Sequence, residues 1–465
     1  MLTYSFENKG SDSLYEYLYK LIKTDILDGK LSPDEKLPSK RALSKHLSIS
    51  TITIENAYNQ LCAEGYLYSV PKSGFFVSDI TSRKPISVDK PIRRTQVAEA
   101  SPDYFADFVN NSTSTDTFPF ATWTKLLRET MAEQTDKLME RSPSAGIMEL
   151  RTAIADYLYQ FRGMLVEPGQ VIVGAGTEYL YSLIIQLLGR DKKYAIEDPG
   201  YQKIAKIYRA NAVSCAHISL DTQGIRIEEL TGSDADVLHI SPSHHFPTGI
   251  VTPISRRYEL LSWAAESDHR YIIEDDYDSE FRLQGKPIPS LQSIDSSEKV
   301  IYINTFSKSL TSTIRISYMV LPKPLIERYN KELGFYSCTV SNFEQYTLAK
   351  FIEKGYLEKH INRMRNYYRT LRDTILTCIK NQPGFSKTTI LEEDAGLHFL
   401  LKVDTDMSDK ELIACAASQG IHVSCLSQYY SEAVFKDSHV LIINYSGING
   451  NCIEEAIERL FRIVV

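Results

Sequence analysis

Apolar residues recur at helical spacing from near the start of the chain. Leu14, Leu18, Leu21 and Ile22 put one apolar face on a helix from Leu14 to Leu27, with Gly29 as its stop. Ser39 stands where it can cap a second, short helix, whose inner face is Ala42, Leu43 and Leu47 and which ends near Ser48. Ser50 can cap a third, on which Ile54, Ala57, Tyr58 and Leu61 fall at i, i+3, i+4 and i+7 and which Gly65 closes. The tight turn between the last two predicts a helix-turn-helix. Apolar runs at 66–70 and 75–77 then flank Pro71-Lys72-Ser73-Gly74, the pattern of a β-hairpin. Three helices and a hairpin predict a winged helix-turn-helix over residues 1–79.

From 80 to 104 the pattern dissolves into Ser, Thr, Pro, Asp and the cations Arg83, Lys84, Lys90, Arg93 and Arg94. This segment reads as a linker, solvated or brushing phosphates. Beyond it, β-branched runs at 171–173, 237–240, 271–273 and 300–303 alternate with helical stretches such as 178–188. Such alternation predicts a mostly parallel sheet with helices on both faces. After about Leu321 helical content rises, and the last hundred or so residues alternate strands and helices as a smaller α+β unit. The expected second domain therefore spans 105–465, with a large part to about 325 and a small part from about 326.

Composition narrows the partners. A chain of 465 residues supports two or three domains. Its 43% hydrophobic and 24% charged residues, without a long apolar run or a secretion signal at Met1, lead us to expect a cytoplasmic protein with no membrane role. Seven scattered cysteines show neither metal-ligand spacing nor a disulfide framework, so no metal site is expected. A formal charge of −7 means that any DNA affinity must come from a local patch. That patch is available: Lys36, Ser39, Lys40, Arg41 and Lys72 surround the third helix, and Thr51, Thr53 and Asn56 lie on its outer face. A helical module of this kind could instead serve protein contacts. However, the run Gly29 to Leu43, including Leu37-Pro38-Ser39-Lys40-Arg41, with Ala57-Tyr58-Asn59-Gln60-Leu61 and Glu64-Gly65-Tyr66, resembles the winged helix of the GntR family of bacterial transcription factors. Family members often carry an arginine near the start of helix three; this chain has Ser50-Thr51-Ile52-Thr53 there, so no base preference carries over.

The second domain holds a set of residues suited to an aldehyde cofactor. Such a cofactor needs a Schiff-base lysine, an acid opposite its pyridine nitrogen and donors to its phosphate. Lys308 lies in Thr305-Phe306-Ser307-Lys308-Ser309-Leu310, and Asp275 and Tyr277 stand two apart at a strand end. Gly174-Ala175-Gly176-Thr177-Glu178 sits between a strand and a helix, where backbone N–H groups favour a phosphate. Thr305 and Arg315 bracket Lys308, and Tyr201 could lie on a ring. Singly these signals are weak. Their order, with Pro247-Thr248-Gly249 between Tyr201 and Asp275, resembles the aminotransferases of fold type I. Nearly the whole chain is similar to the MocR/GabR subfamily, a GntR winged helix fused to an aminotransferase-like domain.

The resemblance implies pyridoxal phosphate as cofactor, with Lys308 as the catalytic lysine and internal aldimine, Asp275 at the pyridine nitrogen, Tyr277 at the phenolic oxygen and Tyr201 stacked on the ring. It implies phosphate contacts from Gly176, Thr177, Glu178, Thr305 and Arg315, and a head-to-tail homodimer on operator DNA. Two departures matter. Phe246 precedes Pro247-Thr248-Gly249 where true aminotransferases usually have asparagine, and no arginine lies between Arg372 and Arg459 to clamp a substrate carboxylate. Lys203 is one candidate replacement cation; His244 and His245 read as structural. The expected function is transcriptional regulation through a domain that senses pyridoxal phosphate itself or a small amine or amino-acid derivative, with at most a residual half-reaction. An aminotransferase carrying a DNA-binding appendage, and a scaffold with an empty site, are the competing readings.

Overall fold

Local signals build the N-terminal part of the molecule. In the computed structural model, which describes residues 2–6, 9–80, 104–110, 117–283, 288–394, 396–431 and 437–463, helices span Leu14–Leu27, Lys40–Leu47 and Thr51–Ala63. The Ser39 and Ser50 hydroxyls accept from the N–H groups of Ala42 and Thr53, satisfying donors that a helix start leaves open. Strands Leu67–Val70 and Gly74–Val77 form the antiparallel wing, to which Lys36 adds a bridge at Phe76. Leu18, Ile22, Leu43, Ile54, Tyr58, Leu61 and Leu67 pack into one core. One expectation shifts: Leu14 is exposed and Ile26, a turn beyond Ile22, completes the inner face of the first helix.

By contacts the chain divides into two compact units, Met1–Ala100 and Ser101–Val465. The basic linker expected over 80–104 falls almost entirely outside the described residues. In the second unit an eight-stranded sheet runs, from edge to edge, 171–174, 317–320, 300–305, 271–275, 237–240, 194–198, 215–221 and 224–225. Its central pairings are all parallel, from Val300–Thr305 through to Cys215–Asp221; the flanking strands are antiparallel. Strands 171–174, 237–240 and 300–305 are buried on both faces, which is why they read as continuous runs rather than alternating ones.

A four-stranded antiparallel sheet ordered 388–391, 398–403, 440–444 and 424–425 forms the small part, and the helices Tyr356–Lys380 and Ile453–Phe461 share its core. Ala106–Asp107 pairs in parallel with Ile421–His422, and Phe108 lies in the same core. The segment that opens the second domain therefore joins the small part, although position in the chain assigned it to the large one. Among the described residues no helix is long and apolar enough to cross a membrane.

Candidate cofactor site and DNA-binding face

In parallel α/β sheets ligands gather beyond the carboxyl ends of the strands. Here Val171–Gly174 delivers Gly176, Tyr271–Asp275 delivers Asp275 and Tyr277, and Val300–Thr305 delivers Thr305 and Lys308. These residues line a single cavity of about 480 Å³, together with Thr177, Glu178, Tyr201 and Arg315. The nine residues expected at a cofactor thus converge, although the chain separates them by up to 139 positions (315 − 176).

Lys308 sits just inside the short helix Phe306–Ser309. Burial drives its pKa down to about 8 against the opposing pull of Asp278, so about a tenth of it is neutral at pH 7. Asp275 is buried at the end of its strand. Its Oδ2 accepts from the Tyr181 hydroxyl, and His239 Nε2 lies 3.6 Å away. Its Oδ1 has no hydrogen-bond partner among the described residues. An orphaned, buried carboxylate oxygen on a cavity wall is costly unless a ligand donates to it. Tyr277 is held by its neighbours: His244 Nδ1 lies 3.3 Å from its hydroxyl and 2.8 Å from Asp278 Oδ2. Gly396 makes room for this histidine, because a Cβ there would fall 1.8 Å from the His244 ring.

At the other end Gly176, with φ +91°, begins the twelve-residue helix Thr177–Leu188. A Cβ on it would come within 2.5 Å of Arg315 Nη2. The Glu178 carboxylate pairs with Lys203 and lies 3.9 Å from Arg315, and these partners hold it below the usual carboxylate range. Glu178 can therefore offer a phosphate only its backbone N–H. Lys203, considered as a carboxylate-binding cation, is already paired. Thr305 is also largely committed: its hydroxyl accepts from Ser307 N–H and from Ser317. Ser307 and Ser312, which sequence reasoning passed over, also line the cavity. Tyr181 was missed too; it lies one turn beyond Thr177, a spacing that puts both on one helix face.

A second carboxyl, Glu197, lines the cavity. Burial, with Asp275 nearby, pushes Glu197 up to about 8, although Ser241 N–H donates to it at 2.9 Å. His245 lies 3.5 Å from it and is pushed down to about 3 by burial. Both shifts favour the uncharged form near neutral pH, so this contact is not a strong ion pair. His245 also contacts Thr248 at 2.7 Å and does not line the cavity, which agrees with a structural role. Tyr201, 46% exposed, meets Phe246 edge-on at 5.9 Å, and Phe246 meets Tyr429 likewise at 5.2 Å.

These features fit pyridoxal phosphate. The amine of lowered basicity, the orphaned acid oxygen, and the glycine at a helix start beside an arginine each match one end of that molecule.

On the N-terminal unit, Arg41, Thr51, Asn56, Lys36 and Lys72 are exposed. Lys40 pairs with Glu55, and Ser39 is spent as a cap. Thr53 and Thr51 bond to Ser50 and Ser44. Ile52, which was not among the expected DNA contacts, is 69% exposed on the same turn.

Comparison with known proteins agrees with both halves. The family model for bacterial regulatory proteins of the gntR family matches residues 14–77, and that for aminotransferase class I and II matches 108–460. The chain is 39% identical over 452 residues to the uncharacterized HTH-type transcriptional regulator YdeL of Bacillus subtilis, covering 96% of each. It is 30% identical over 419 residues to the HTH-type pyridoxine biosynthesis transcriptional regulator PdxR of Corynebacterium glutamicum, covering 90% of this chain and 89% of that one. It is 29% identical over 462 residues to the probable rhizopine catabolism regulatory protein MocR of Rhizobium meliloti, covering 96% and 93%. The multiple substrate aminotransferase of Thermococcus profundus shares the fold, with a TM-score of 0.69 at 24% identity over 78% of this chain and 92% of that one. A winged helix followed by a fold type I domain, matched along nearly its full length by such regulators, places this chain in the MocR/GabR subfamily of GntR-family transcriptional regulators, with pyridoxal phosphate as its cofactor.

Proposed function

We propose that occupancy of the cavity around Lys308 sets the affinity of the winged helix for operator DNA. The cofactor supplies an aldehyde and an electron-withdrawing ring when bound. Lys308 provides the amine that holds it covalently. Asp275 keeps a proton at the ring nitrogen through its orphaned Oδ1, with Tyr181 and His239 fixing the other oxygen. Tyr277 donates to the ring hydroxyl, and Tyr201 covers one face. The N–H groups of Gly176, Thr177 and Glu178, with Arg315 and with Ser307, which Thr305 caps, bind the phosphate. The unpartnered Asp275 Oδ1 on this cavity wall is the observation that carries the assignment.

Sensing is favoured over turnover by what stands near the cofactor. Phe246 and Tyr429 line the cavity and pack on a buried apolar cluster of Leu400, Val440 and Ile442. This apolar wall, with Lys203 already paired to Glu178, holds no bidentate cation for an α-carboxylate. The effector is accordingly pyridoxal phosphate itself or an amine recognised through apolar contact. PdxR is named for pyridoxine biosynthesis, and control of vitamin B6 supply is the role we infer here. Family membership supports a head-to-tail homodimer, whose dimer mass sedimentation would show.

Signalling requires that the ligand prefer one of two arrangements of the protein. The test is a pyridoxal phosphate titration that follows absorbance near the visible edge and, in parallel, binding to the DNA upstream of the chain's own coding sequence. Both should change over the same concentration range. An absorbance change with constant DNA affinity would overturn the cofactor-sensor reading. Gly176→Ala is expected to weaken pyridoxal phosphate binding roughly tenfold in the same titration, because its positive φ costs an alanine about 1–3 kcal/mol and its Cβ displaces Arg315.

A further inference from the structure

We propose that Ile52 reads the C5 methyl group of a thymine in the major groove, so that operator choice by this regulator rests on an apolar base contact. The inference depends on the N-terminal module binding DNA through its third helix, as its family does.

The inner face of that helix is complete without Ile52. Ile54, Ala57, Tyr58 and Leu61 are each fully buried. Ile52 points away from them and, at 69%, is more exposed than any other large hydrophobic residue described in this unit. Nothing in the fold of the unit uses it. Polar groups beside it are spoken for. Ser50 Oγ accepts from Thr53 N–H and lies 2.7 Å from the Thr53 hydroxyl, Thr51 Oγ1 donates to Ser44, and Glu55 pairs with Lys40. The first turn therefore presents carbon to a partner where an arginine or other donor would present N–H.

One turn further on stands Asn56. It is exposed, its side chain makes no hydrogen bond to another described residue and, four positions from Ile52, it shares its face. In the major groove, thymine is the base that shows a methyl group, and an asparagine amide matches the N6 and N7 edge of adenine. The pair thus suits an A·T-rich half-site. Exposed Arg41 and Lys45 on the preceding helix, with Lys36 and Lys72 beside the wing, supply phosphate contacts that orient the module without choosing sequence.

The experiment selects sites for the full-length protein from a randomised duplex library, then measures binding by anisotropy with each thymine of the selected site replaced by deoxyuridine. Loss of the methyl at one position in each half-site should weaken binding about fourfold, the worth of one buried methyl. Ile52→Ser should bind the thymine site about fourfold more weakly, unfold at the same temperature as the parent, and be indifferent to uracil at that position. Asn56→Ala should keep the uracil effect and lose preference for an adenine. A selected site with no thymine, or a uracil effect equal in parent and Ile52→Ser, overturns the proposal. Failure to enrich any sequence would instead remove the DNA-binding reading beneath it.

Discussion

Lys308→Ala should abolish the absorbance change produced by pyridoxal phosphate and, with it, the response of DNA affinity to the cofactor. Loss of the amine removes the only covalent anchor, leaving Asp275, Arg315 and the helix amides to hold the ligand by hydrogen bonds alone. A change in DNA affinity that survives in Lys308→Ala would show that the covalent link is not the signal. The reaction at Lys308 should also depend on pH. Only the neutral amine attacks the aldehyde, and burial sets its pKa at about 8. The rate of capture at limiting cofactor should therefore rise about tenfold per pH unit below pH 8 and level off above it.

The sign of the linkage gives a control. A lysine whose folded pKa is depressed binds fewer protons in the folded state, so stability rises with pH between about 8 and the ordinary lysine value. The penalty is fully present below pH 8, and Lys308→Ala removes it. The variant without cofactor should consequently unfold no earlier than the parent at neutral pH. If it does unfold earlier, Lys308→Met retains the volume and lets the loss of the amine be read separately.

Arg162→Ala should produce the largest loss of stability. The guanidinium pairs with Asp276, and both side chains are at most 2% exposed. Arg162 also donates to Ile288 O and Ser243 Oγ, while Tyr302 and Ser279 donate to Asp276. Removing the arginine leaves a carboxylate in the core with two neutral donors, a cost of about 3 kcal/mol or more. Both tryptophans, Trp123 and Trp263, lie in the second unit, so their fluorescence in urea follows this unit. The midpoint should fall sharply. Arg162→Met combined with Asp276→Leu should recover much of the loss, because the buried charge is then gone from both sides. Asp276 follows Asp275 directly, so the single variant should also weaken cofactor binding. A single variant as stable as the parent would mean that water reaches this pair.

Much of the molecule was legible in the chain itself, and for a local reason. Ser39, Ser50, Gly29 and Gly65 mark helix ends through contacts within a few residues, so the winged helix could be drawn element by element. The buried strands announced themselves as β-branched runs, and the ordered series from Gly176 to Arg315 picked out residues that the fold brings to one cavity. Partner choice was not legible, because it is decided between residues far apart in sequence and by access to water. Tyr181 and Asp275 are 94 positions apart. Only the folded sheet shows that Asp275 keeps one oxygen unmet, that Thr305 spends its hydroxyl on a cap, and that Glu178 faces Lys203 rather than a ligand. Burial in the same fold raises the pKa of Glu197 and sets Ile442 in the apolar cluster behind Phe246 and Tyr429. The sequence by itself thus determined the two domains, their elements and the lysine at the centre. Tertiary structure decided which polar groups remain available to a ligand and left Ile52 in solvent, because desolvation and long-range packing act only once the chain has closed on itself.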